Sequence, residues 1–402
     1  MITDPALEAR RLFDIGVATA DPYAATEIAL NGLNLHDPLI LAIGKAATRM
    51  AEAAMIHYAK PEIIIVTNPE NAKDVPDASI FAASHPVPDA VGLEASKAII
   101  TKLTDNGRPV LALISGGGSA LLPAPVDGIT LSDKARVNEL LLGCGADIVQ
   151  TNLVRQQLSR LKGGGLNRHA HPHPVTALIL SDVIGDDLRA IASGPTVSAI
   201  GTAREARQTL ETLGVWDACP ASVRAYLDAN PAVPETPEAQ NILIGSNTKS
   251  LEAMKAAAAS AKIGNAHLIG DVDDAARIVA QHYHEGPGTT LFGGETTVQI
   301  TGKGAGGRNQ ELALRVALIA EAEGWENWTY LQGGTDGRDG PTDAAGGLVN
   351  SETLSNIHAA GYDPVTLLAN NDSYAALKAG NSLLVTGGTG TNVADLGILI
   401  RT

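Results

Sequence analysis

The chain has 402 residues, long for one hydrophobic core and comfortable for two domains. Its 44 Asp and Glu against 29 Lys and Arg leave a net charge of −15, which disfavours nonspecific attraction to nucleic acid or to an anionic membrane, and an aromatic content of 3% supplies few bases' worth of stacking surface. Cys144 and Cys219 stand in no CxxC spacing, so both read as buried thiols, and the sequence shows neither a basic leader with an apolar run nor a window of ~18 uninterrupted apolar residues; the expectation is a soluble, cytoplasmic protein.

In chain order, short apolar runs that end in glycine-rich turns alternate with longer helical patterns, as βαβ units around a mostly parallel sheet do. Residues 39–43, LILAI, read as the first strand, apolar enough to be buried on both faces. Gly44 and Lys45 follow at the expected start of a helix, where ligands of open α/β sheets gather. Lys45 is therefore a candidate for an anionic ligand, although the segment lacks the upstream glycine and the trailing Ser or Thr of a Walker A loop. Residues 62–66 read as a second strand and 89–103 as a helix opening on an Asp cap. The next strand, 110–114, runs into SGGGSALLPAP. There Ser115, Gly116, Gly117, Gly118 and Ser119 let consecutive backbone N–H groups converge on a phosphate or a carboxylate; the other reading is a tight turn that needs positive φ. Residues 147–161 form the next helical pattern, with Arg155 and Lys162 on one face, either adding to an anion cluster or pairing with acids nearby. A fourth strand, 175–180, leads to SDVIGDD with Asp182, Asp186 and Asp187.

Three prolines and no helical period in NPAVPETPEAQ, 230–240, mark a stiff, solvated connector, which puts one α/β domain at 1–230 and a second at 241–402. Candidate strands in the second are 242–244, 290–292, 296–300, 328–332 and 383–386. Gly302, Gly304 and Gly307 match GxGxxG between a strand and a helix, formally a dinucleotide fingerprint. Lys303 sits inside that turn and Arg308 follows it, a fixed cation whose planar donors suit phosphoryl oxygens. QGGTDGRDGPTDAAG supplies Asp336, Asp339 and Asp343. Scattered carboxylates in glycine-rich loops suit Mg²⁺, which takes few carboxylates together with water and phosphate oxygens; several of these acids must be turns or caps.

These segments, AIGKAA, SHPVPD, ISGGGSALL, NLVRQQLSRLKGGGL, LSDVIGDDLRAIASGPT, GGETTVQITGKGAGGRNQE, GGTDGRDGPTDAAGGLV, NNDSY and TGGTGTNVADL, resemble in order the glycerate 2-kinase family over nearly the whole chain. The resemblance implies an N-terminal Rossmann-like domain with a mostly parallel sheet, a C-terminal MOFRL-type domain with a mixed sheet, and an interdomain cleft. It further implies transfer of the γ-phosphoryl group of ATP to the 2-hydroxyl of D-glycerate with Mg²⁺ or another divalent metal; the sequence itself leaves monomer and homodimer both open. Lys45 and Arg308, one from each lobe, would steady the transferring group, with Asp182 or Asp336 orienting the hydroxyl. Asp187 and Glu295 are the metal candidates, and Gly304, Gly307, Asn309, Arg155 and Lys162 join the 115–119 turn as binding candidates. Ile184 and Gly388 stand where the family pattern has proline, and Asn350 where it commonly has Asp, so Asn350 is left out of the metal set. The rival is an NAD(P)H-dependent hydroxypyruvate reductase resting on the GxGxxG match; it lacks an acidic residue after its second strand, since the strand ending near Gln332 leads into GGTDG.

Overall fold

Strand β1, Leu39–Ile43, sends Leu39, Leu41 and Ile43 into one apolar layer and Ile40 and Ala42 into another, the two-sided burial that an unbroken aliphatic run requires. In this computed structural model, which describes residues 4–258, 260–265 and 267–402, β1 lies inside a six-stranded sheet. Its partners are β2 (Glu62–Thr67), β3 (Ala78–Ala82), β4 (Val110–Ile114), β5 (Val175–Leu180) and β6 (Ala239–Gly245), in the order β3-β2-β1-β4-β5-β6. The pairs among β1 to β5 are all parallel. The order reverses between β1 and β4, and that switch point is where a doubly wound sheet opens a crevice for ligands.

The second sheet is mixed. It contains β7 (Lys262–Ile263), β8 (Leu268–Asp271), β9 (Gly288–Thr297), β10 (Trp328–Gly334), β11 (Gly346–Asn350), β12 (Leu383–Leu384) and β13 (Asp395–Arg401), in the order β12-β11-β10-β13-β9-β7, with β8 also paired to β9. Strand β13 is central and antiparallel to both neighbours; β7 and β8 run parallel to β9. Leu396, Ile398 and Ile400 of β13 face a layer with Leu251 and Met254, and Leu399 faces the opposite layer with Val279 and Val316. No helix among the described residues is long and apolar enough to cross a membrane.

Several sequence expectations change in detail. The run 290–292 and the start of 296–300 are one strand, β9, because Gly293 and Gly294 continue the ladder opposite Leu396 and Asp395, whereas 298–300 lie beyond its end at Thr297; a Cβ at Gly294 would meet the Leu268 carbonyl oxygen at 2.1 Å. Residues 242–244 belong to β6 in the first sheet, not to the second domain. The connector 230–240 is held on the first unit, where Asn167 donates to the Pro237 carbonyl and Arg168 to the Thr236 hydroxyl. The compact units are accordingly Pro22–Ile244 on one side, and the segment ending at Asp21 together with Gly245–Thr402 on the other. The expected first domain, 1–230, differs most at its start, because helix Pro5–Thr19 packs Leu12 and Phe13 into the layer of Leu251, Met254 and Leu396. The helix expected over 147–161 ends at Gln157. Cys219 is buried, whereas Cys144 is only half-buried.

Candidate active site

Three strand ends of the first sheet meet at the switch point. The Lys45 N–H donates to the Gly116 carbonyl at 2.9 Å, and the Ser115 hydroxyl accepts from the Ala46 N–H at 3.0 Å, so the turns leaving β1 and β4 are stapled together. Gly117 has φ 86, a left-handed conformation that favours glycine, and the short helix Gly118–Leu121 begins at once behind it. Backbone N–H groups of the turn are thereby presented at the carboxyl end of β4. A Cβ on Gly116 would sit 1.9 Å from Asp182 Oδ2, and a Cβ on Gly117 would sit 3.1 Å from Lys45 Cγ and 3.3 Å from His85 Cδ2. Lys45 from the end of β1, Asp182 from the end of β5 and His85 beyond β3 thus surround one glycine turn. Burial, then the Lys45 charge, lowers the His85 pKa, so the imidazole is neutral at pH 7. The sequence gives His85 no role, because the edge strand before it, β3, is half exposed and carries no apolar pattern that would place the histidine at a strand end.

Beyond the turn, Ser119 shares a 2.6 Å hydrogen bond with Ser193, whose hydroxyl donates to Asn152 Oδ1 at 2.8 Å. Ala192 and Ser193 both hold positive φ, 49 and 59, a strained pair of non-glycine residues. A Cβ on Gly118 would meet the Ala192 Cβ at 2.8 Å, so this strained loop closes directly on the turn. Arg155 and Lys162 come together although the helix between them ends early: Lys162 donates to the Leu122 carbonyl at 2.6 Å and Arg155 Nε to Asn138 Oδ1 at 2.7 Å. Lys134, which the sequence did not single out, donates to the carbonyls of Pro123 and Leu158. Asp187 holds Arg189 through both carboxylate oxygens, which lowers its pKa.

In the second unit Arg308 opens the helix Arg308–Ala322. Its Nε and Nη2 donate to Asp395 at 2.7 and 3.1 Å, and its Nη1 pairs with Glu295 at 2.8 Å. Burial opposes the Arg308 charge, but Asp395 outweighs it and the guanidinium stays protonated. Burial raises the Asp395 pKa to about 6 even against that arginine. Asn309 is committed to the same interior: its amide donates to Asp395 and Asp339 and accepts from Gln332, which in turn accepts from Tyr330. Asp339 caps the helix by accepting from the N–H groups of Asn309 and Gln310. Asp336 accepts the Arg338 N–H, and Asp343 accepts from the Tyr374 hydroxyl. The glycines of the GxGxxG match are filled from within the chain: Gly302 and Gly304 abut Asn370 and Asp372, and Gly307 abuts Asp339. These close approaches explain the glycines without a pyrophosphate, and β13 lies between β9 and β10, so the strands flanking the segment are not the adjacent parallel pair of a dinucleotide-binding βαβ unit. Sequence reasoning missed Asp395, the buried acid at the start of β13 that fixes Arg308. Among the described residues, no group of three or more His, Cys, Asp or Glu is placed to hold a metal ion.

The family model DUF4147, described as a domain of unknown function, matches residues 8–228, and the MOFRL family model matches residues 288–395. A Thermotoga maritima protein named D-glycerate 2-kinase is 39% identical over 394 residues, covering 93% of each chain. A Pyrococcus horikoshii protein named glycerate 2-kinase is 37% identical, covering 98% of this chain and 96% of its own. A crystal structure of glycerate kinase from Thermotoga maritima superposes with a TM-score of 0.91 at 36% sequence identity, covering 99% of both chains.

Proposed function

The chain belongs to the glycerate kinase family, and from that premise we propose that it transfers the γ-phosphoryl group of ATP to the 2-hydroxyl of D-glycerate, giving 2-phosphoglycerate. The observation that carries this reading is the gathering of Lys45, the 115–119 turn and Asp182 at the switch point of the first sheet. Phosphoryl transfer asks a protein mainly for positioning and for positive charge around a loose transition state. Lys45 and the backbone N–H groups of the turn supply that charge at a fixed place. Asp182, set over Gly116, orients the acceptor hydroxyl and takes up its proton as the new bond forms. To Arg308 we assign the second cation of the reaction on its chemistry: a permanent charge with planar donors, held rigid by Asp395 and Glu295.

ATP brings a divalent metal, Mg²⁺, whose preference for phosphate oxygens and water asks little of protein carboxylates. The candidate carboxylates Asp187 and Glu295 each already hold an arginine, so phosphate oxygens and water would supply most of the metal's ligands. The metal neutralises phosphate charge when bound. The reading includes a cytoplasmic location and a small-molecule partner, D-glycerate. The test is ADP release from D-glycerate, ATP and Mg²⁺, with phosphorus NMR of the product, beside oxidation of NADH by hydroxypyruvate. Turnover in the second assay alone would overturn it. Lys45→Ala and Arg308→Ala should each lower kcat on the order of 10²-fold or more, well beyond any change in KM.

A further inference from the structure

Arg155, Lys162 and Lys134 lie close enough that their charges act on one another, and no carboxylate among the described residues pairs with any of the three. Their partners are backbone carbonyls and the side-chain oxygen of Asn138. Lys162 is 3% exposed. Buried charges are ordinarily paired, because an uncompensated cation in a poorly hydrated place is costly and like charges beside it add to the cost. Burial lowers the pKa of all three, and Lys162, with Arg155 beside it, falls to about 7. The cluster is electrostatically short of an anion.

A neutral side chain makes the same demand. Asn152 lies three residues before Arg155 on one face of the helix Ile148–Gln157 and is 1% exposed. Its Oδ1 accepts from Ser193, while its Nδ2 is buried with no acceptor, a donor whose desolvation nothing offsets. Ser193 is bonded to Ser119, the last residue of the glycine turn, and the carbonyls that receive Lys162 and Lys134 belong to Leu122 and Pro123, only three and four residues further on.

Resting on the kinase reading, we infer that Arg155, Lys162 and Asn152 hold the carboxylate of the hydroxy acid, with the Ser119 and Ser193 hydroxyls beside its hydroxyl groups. A carboxylate offers two coplanar oxygens to the fork of a guanidinium. The backbone of the turn at 115–118, with Lys45, is left for phosphoryl oxygens, and a three-carbon acid anchored at the cluster presents its 2-hydroxyl toward Asp182.

The test is isothermal titration of the nucleotide-free full chain with D-glycerate, with glycerol, which keeps hydroxyls but lacks the carboxylate, and with ATP. Wild type should bind D-glycerate at least about 100-fold more tightly than glycerol, and Arg155→Gln should weaken D-glycerate about tenfold or more while shifting ATP less than about twofold. Arg155→Lys should recover part of the loss. Asn152→Asp, nearly isosteric, should raise the melting temperature by supplying the missing counterion and should abolish D-glycerate binding. An Arg155→Gln effect on ATP in place of glycerate makes the cluster a nucleotide phosphate site and overturns the assignment. So does an unchanged Kd for both ligands in a folded variant, which leaves the cations serving only the chain's own carbonyls. If Arg155→Gln does not fold, Asn152→Asp decides alone: retained glycerate binding overturns the assignment. Glycerate binding without phosphoryl transfer would sink the kinase reading and leave the carboxylate site standing; transfer with an unaltered glycerate Kd in the variants does the reverse.

Discussion

Asp182 fills the place a side chain on Gly116 would need, so the smallest substitution there becomes a probe of the role proposed for that carboxylate. In Gly116→Ala the new methyl would press on Asp182 Oδ2 from 1.9 Å, and the carboxylate must turn away. Displacing a reacting group by about 1 Å is enough to cost on the order of 10²-fold in rate, so kcat should fall by about that factor while the melting temperature moves little. Asp395 works at a distance by holding Arg308. With its pKa raised to about 6 by burial, it is ionised at neutral pH and protonated a unit or two lower. Activity should therefore fall as pH drops through about 6, because the neutral acid loosens the arginine. Stability runs the other way for this group: its folded pKa exceeds 3.8, so its contribution is fullest below that value and is lost as pH rises through about 6. Asp395→Asn should remove that acid limb from the pH–rate profile and leave kcat low across it. Residues of this kind were the least legible in the sequence. Lys45 and the 115–119 turn could be read because strand, glycine and charge are contiguous, whereas Asp395 and Asn152 are polar residues in apolar or amphipathic runs whose importance comes from chain-distant partners, Arg308 and Ser193.

Elements buried on both faces announced themselves. LILAI and VLALI are aliphatic throughout and VTALIL all but Thr176, and the structure keeps them as β1, β4 and β5 with the expected limits. Strand β3, ASIFA, is half exposed at the sheet edge and carries no such signal, and β13 was hidden because its acid and glycine interrupt the start of an otherwise apolar stretch. Helix starts were legible through their chemistry. Asp89 caps Ala90–Thr104, and Asp147 forms a reciprocal box with Gln150 at the start of Ile148–Gln157. That second helix carries both Asn152 and Arg155. Asp147→Ala should cost about 1 kcal/mol in urea unfolding of its unit, and fraying of the first turn should weaken D-glycerate binding more than ATP binding.

At the scale of the molecule, the chain order and the spatial order disagree. The helix Pro5–Thr19 belongs with Gly245–Thr402, and everything between is a complete unit of its own. The three prolines of 230–240 mark a connector in the sequence, but those residues are fastened to the first unit and the division falls after Ile244. Nothing local in the first twenty residues tells which core will receive them, since Leu12 and Phe13 would suit any apolar layer. Phe13→Ala should cost about 3–5 kcal/mol and should lower the transition of the C-terminal unit alone, as seen by calorimetry together with limited proteolysis.

That interleaving sets a schedule during synthesis. When the ribosome has made the first helix, its proper partners Leu251, Met254 and Leu396 do not yet exist, and at cellular elongation speeds they follow on the order of tens of seconds later. For that interval a greasy stripe must wait in the company of a neighbouring unit that is already able to close on itself. Nascent chains stalled before Gly245 should thus expose Leu12 and Phe13 to chaperones, and the exposure should end as the elements that carry Leu251, Met254 and Leu396 emerge.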